Sequence, residues 1–282
     1  MKWEGRAESG NVEDRRGAGG GGMRLGLPVG GGIGGVVLLL LFSALTGQNP
    51  LDLIGGTDEG GYTEPGPSGP PATDPQTRFM RVVLKDTEET WTSLLRNSGQ
   101  RYEEPTLVLF SDATNTACGL GQSAMGPFYC PGDRKVYLDT SFFEELDQRF
   151  GAPGDFAQAY VIAHEIGHHV QNLLGLSERV QSARQRVSQG EGNALSVRLE
   201  LQADCYAGVW GHYAAQHDLL SPGDAEEGLR AAAAIGDDRL QRQGQGRVVP
   251  ESFTHGSSEQ RMSWLRRGLE SGQIDSCDTF RE

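Results

Sequence analysis

Between residues 77 and 98, apolar side chains recur at Phe79, Val82, Val83, Trp91, Leu94 and Leu95. That spacing returns to one face of a helix and predicts its end near Gly99. The next two apolar runs are shorter. "TLVLFS" (106–111) and "KVYLDT" (135–140) read as strands, with Pro131, Gly132 and Asp133 marking a turn between them. They predict a small, mostly antiparallel sheet. After Phe142 the helical period returns. One helix is expected over 155–175, with Asp155 as N-cap and Gly175 as stop. Others are expected over 193–216, 224–243 and 257–272. A helix, a small sheet and a run of helices describe a mostly helical α+β domain spanning 77–282.

The chain ahead of residue 77 has no such faces. Residues 25–47, "LGLPVGGGIGGVVLLLLFSALTG", carry no charge and are long enough to span a bilayer. Lys2, Arg6, Arg15, Arg16 and Arg24 precede them, a bias that holds the preceding segment in the cytoplasm. The expected organisation is a cytoplasmic tail (1–24), a transmembrane anchor (25–46), a Pro/Gly-rich linker (47–76) and an extracytoplasmic domain (77–282). A cleaved signal peptide with its apolar core at 36–45 is the alternative. The formal charge is −13, from 25 Lys and Arg against 38 Asp and Glu, which argues against a nucleic-acid partner.

Chemistry concentrates in "AHEIGHHV" (163–170). His164 and His168 are four positions apart, so both rings fall on one helix face, a turn from each other, and can meet one metal ion. His169 is turned about 100° away and reads as a packing residue or a contact beside the site. Glu165 lies to the side of the first ligand, where it can reach a water on the metal without ligating the ion. A hydrolytic zinc takes three protein ligands and keeps one open position. "LELQADCYAGVW" offers Glu200 and, one turn later, Asp204. Glu200 is assigned to Zn2+, and Asp204 to the free ring N–H of a ligand histidine; the reverse assignment has the same spacing.

"HEIGHHVQ" followed by "RLELQADCYAGVW" resembles the bacterial neutral zinc metallopeptidases of the YpfJ-like group. "NVEDRRG" near the start, the apolar segment and "FTHGSSEQR" near the end extend the likeness over almost the whole chain. The E-x-x-x-D arrangement also resembles gluzincins more widely, including thermolysin-like and HtpX-like enzymes. The resemblance implies a zincin-like fold and a zinc-dependent peptidase acting on peptide or protein substrates, with Glu200 as third ligand. Glu165 would then be the general base. A membrane-tethered zinc-binding scaffold without proteolytic activity is the alternative, and other metal-assisted hydrolysis a third reading. A substrate can be expected to add as a strand beside "SAMGPFY" (123–129).

Zinc peptidases need a donor for the oxyanion. His255 is a candidate, because Ser257 and Gln260 have capping-box spacing and place it on a loop just ahead of a helix. Tyr206 and Tyr213 are the other candidates. Four cysteines allow three complete pairings. Cys118–Cys130 and Cys205–Cys277 are expected in an oxidising compartment, with free thiols as the alternative.

Overall fold

The structure is a computed structural model that describes residues 1–16 and 73–281. It opens on a strand, β1 (Val12–Asp14), and then a 23-residue helix, α1 (Pro75–Asn97). Asp74 caps α1 by accepting the Thr77 N–H at 2.9 Å, with Pro75 preset for the first turn. β2 (Thr106–Phe110), β3 (Ala113–Thr116), β4 (Gly119–Gln122), β5 (Phe128–Cys130) and β6 (Lys135–Asp139) follow. The rest is helical: α2 (Ser141–Gln148), α3 (Asp155–Leu173), α4 (Leu176–Arg184), α5 (Gln189–Gln216), α6 (Asp224–Ala234), α7 (Asp237–Gln245) and α8 (Ser258–Ser271).

The α+β class holds, but the sheet is not mostly antiparallel. Its order is β1-β2-β6-β5; β1 and β6 both run parallel to β2, and only β5 is antiparallel. The reason lies in the unbroken apolar run of β2, which is buried on both faces as a central parallel strand is. Leu107 and Leu109 face the helices together with Val136 and Leu138. Val108 and Phe110 face the other way, onto Tyr137, Phe128 and Cys130. The antiparallel ladder β3–β4 forms a separate two-stranded hairpin. The Cys118–Cys130 disulfide ties the end of that hairpin to β5.

The expected boundaries also need correction. Residues 1–16 are not a separate tail; they belong to the same compact unit as the body. Val12, Glu13 and Asp14 pair with Leu107, Val108 and Leu109. Ser9 is buried and donates to Glu88, while the Trp3 ring meets Phe79 edge-on. α1 begins two residues inside the expected linker. The expected anchor and most of the linker lie outside the described residues. No helix among the described residues is long and apolar enough to cross a membrane.

The helix expected over 224–243 is two helices, α6 and α7, broken at Gly236. There the backbone of Ser258 comes within 2.3 Å of where a Cβ would stand, so the break admits the start of α8. The 155–175 helix starts from Gly154 rather than from an Asp155 cap, and Gly175 ends it in the left-handed region. α2 and α4 were not anticipated. α3 is buried on nearly every side, which makes it the central post of the fold.

Candidate metal centre

Two close helix contacts assemble the site. A Cβ on Gly167 of α3 would stand 3.0 Å from the Ala203 carbonyl of α5, so the two helices meet almost backbone to backbone. Gly208 of α5 and Gly268 of α8 make a tighter contact, with Leu265 O 2.2 Å from a Cβ built on Gly208. The Cys205–Cys277 disulfide fastens the chain after α8 to α5 at the same level.

On this frame the expected ligands converge. One ring nitrogen each from His164 and His168 and one oxygen of Glu200 lie within 4.8 Å of one another. Glu200 Oε2 is 3.2 Å from His164 Nε2, and Oε1 is 3.4 Å from His168 Nε2. Two ligand atoms each about 2.1 Å from a tetrahedral zinc stand about 3.4 Å apart, so the donor set fits that ion. The electrostatics agree. Burial opposes a charge on His164, yet Asp204 and Glu200 raise its pKa to about 10. His168 is raised against its own burial by Glu200. Burial opposes ionisation of Glu200, but the two histidines hold its carboxyl well below the usual range. The site favours positive charge between these three groups.

The remaining ring nitrogens are fixed. His164 Nδ1–H donates to Asp204 Oδ1 at 2.8 Å, and His168 Nδ1–H donates to Gln171 Oε1 at 2.9 Å. Both hydrogen bonds leave Nε2 free for a metal. Asp204 is fully buried and also accepts from Tyr160 Oη (2.6 Å) and from Arg261 Nε and Nη2 (2.9 Å each). Burial would raise its pKa, but Arg261 and His164 hold it at about 2. Gln171 is held in turn, donating to Leu199 O and to Gln202, whose amide reaches Cys277 O. The sequence reading missed Tyr160, Gln171 and Arg261. Tyr160 precedes His164 by one turn, and Gln171 and Arg261 stood in the quoted motifs "HEIGHHVQ" and "FTHGSSEQR".

Glu165 is buried, 7% exposed, and directly follows His164 on α3. His169 is not among the three converging groups. Its Nε2–H donates to Glu103 O at 2.6 Å, and its Nδ1 accepts from Tyr129 Oη at 3.0 Å, so it pins β5 to α3. Burial pushes its pKa down to about 4.

His255 sits on the loop ahead of α8, with the expected capping box between Ser257 and Gln260. Its side chain is half-exposed. Asp237, which the sequence reading did not single out, accepts from Nδ1 at 3.2 Å and from the backbone N–H groups of Thr254, His255 and Gly256. Burial lowers the His255 pKa, but Asp237 and Glu200 raise it overall. The tyrosine candidates fall away. Tyr206 is 2% exposed and packs edge-on against Trp91. Tyr213 is 13 residues beyond Glu200 on α5, about 20 Å along the helix.

Residues 1–280 match the family model described as putative neutral zinc metallopeptidase. The chain belongs to that family. It is 50% identical over 286 residues to the uncharacterized protein YpfJ of Escherichia coli (strain K12), covering 99% of each chain. It is 46% identical over 218 residues to the uncharacterized protein Rv2575 of Mycobacterium tuberculosis (strain ATCC 25618 / H37Rv), covering 72% of this chain and 71% of that one. No solved structure matches.

Proposed function

We propose that this member of the family is a zinc-dependent peptidase whose ion is held by His164, His168 and Glu200. The observation that carries this reading is the convergence of those three donors on one point, with both histidines held by their other nitrogen. Bound zinc would supply a Lewis acid for the scissile carbonyl and lower the pKa of a water to about 7. Glu165, beside the ligands and largely shielded from solvent, takes the water's proton and passes one to the leaving amine. His255 donates to the carbonyl oxygen as negative charge builds there. Asp237 engages Nδ1, and as an imidazolium His255 would also carry a proton on Nε2 to donate. An extended peptide pairs with the outer edge of β5, the last strand of the sheet, which His169 and Asn172 anchor to α3 through Tyr129.

The test is hydrolysis of an unfolded protein substrate with and without chelator. Glu165→Gln keeps stoichiometric zinc and loses hydrolysis. His255→Ala keeps zinc and Tm but lowers kcat on the order of 100-fold. Full activity in zinc-loaded Glu165→Gln contradicts the mechanism.

A further inference from the structure

We propose that Arg261 is a positioning residue of the metal centre, acting on His164 through Asp204. The role rests on the zinc reading above. Arg261 is 3% exposed and reaches from α8 into the gap between α3 and α5. Its Nε and Nη2 grip the two oxygens of Asp204 as a fork, at 2.9 Å each. Nη2 also donates to Tyr160 Oη at 3.1 Å, and Nη1 donates to Ile235 O at 3.4 Å. The fork fixes the plane of the carboxylate. Oδ1 is thereby aimed at His164 Nδ1, and the opposite nitrogen of that ring is aimed at Glu200. Lysine carries the charge but not the planar fork, so it reproduces the contact only in part. Arg261 lies one turn into the helix whose leading loop bears His255, so the same clamp sets that loop against the ligand helices.

Zinc affinity of the purified full chain, measured by chelator competition, tests this together with the absorption bands of the cobalt-loaded protein. Arg261→Met weakens zinc about 10–100-fold and shifts the cobalt bands, whereas Arg261→Lys gives an intermediate loss. In an Asp204→Asn background, Arg261→Met costs little more, because the fork onto the carboxylate is already lost and only the 3.4 Å approach of Nη2 to His164 Nδ1 remains. Wild-type affinity in both Arg261 variants overturns the proposal, as does a loss that adds in full to that of Asp204→Asn. If Arg261→Met does not fold, Arg261→Lys decides: wild-type affinity there overturns the role. A wild-type chain that takes up no zinc overturns the zinc reading itself, and this role with it.

We also infer, from the pairing of β1, that residues 1–16 and 73–281 lie on the same side of any membrane the protein meets. The single-pass topology expected from the Lys and Arg bias puts them on opposite sides. β1 is hydrogen-bonded along β2, with Leu107 N–H donating to Asn11 O at 2.9 Å and Arg15 N–H to Leu109 O at 2.7 Å. Lys135 Nζ holds Glu13 at 2.8 Å, and Asn11 Nδ2 donates to Glu88 at 2.8 Å. Arg16 Nη2 donates to Thr77 at 2.7 Å, and Lys2 N–H donates to Leu219 O at 2.8 Å. A hydrocarbon layer of about 30 Å cannot lie between groups in such contact. Glu4→Cys and Glu178→Cys, both at exposed positions, test it with a membrane-impermeant thiol reagent on spheroplasts. Both sites label or both are protected. Labelling of one while the other is protected overturns the inference.

Discussion

Removing the metal should leave a proton in its place, and the cost of displacing that proton can be read from the site. Without an ion, His164 stays protonated up to a pKa of about 10, against an ordinary value of 6.5. Zinc needs the neutral ring. At pH 7 the ion therefore works against about three pH units, or about 4 kcal/mol. Zinc affinity should rise at least about tenfold per pH unit, hence at least about 100-fold from pH 6 to pH 8, since His168 is raised as well and adds to the His164 proton. Titration calorimetry in buffers of different ionisation enthalpy should count at least one proton released per zinc at pH 7. Stability has the opposite sign in the metal-free chain. A pKa raised on folding stabilises fully below about 6.5, and that contribution is lost as pH rises through about 10. The Tm of metal-free protein should fall between pH 7 and pH 10, and the zinc-loaded form should not share this fall. Zinc affinity that is flat from pH 6 to 8, with no proton released, refutes the reasoning.

Gly208→Ala drives a Cβ into the Leu265 carbonyl, and backbone cannot step aside as a side chain can. It should cost about 1–3 kcal/mol in urea unfolding, and parting α5 from α8 should weaken zinc as well. Replacing both Cys118 and Cys130 with serine opens a loop of sequence separation 12 and should cost about 2–3 kcal/mol of unfolding free energy. The same change at Cys205 and Cys277 should also lower zinc affinity in chelator competition, because Gln202 and Gln171 link Cys277 O to His168.

What the sequence determined is local. Candidate ligands four residues apart on one helix, the pair Glu200 and Asp204 on another, and the cap ahead of α8 follow from helical geometry over a turn or two. β2 and β6 were legible for the same reason, as short apolar runs bounded by turn residues. Tertiary structure decided the rest. Parallel pairing of Val12–Asp14 with β2 joins residues more than 90 positions apart, and no local period encodes a partner at that distance. The same holds for Arg261 against Asp204 and for Asp237 against His255: a charged residue on a helix looks like a solvated one until a distant helix or loop covers it. Helix spacing fixes which donors can share a face. Only the approach of α5 to α3 at Gly167, and of α8 to α5 at Gly208, decides that those faces meet.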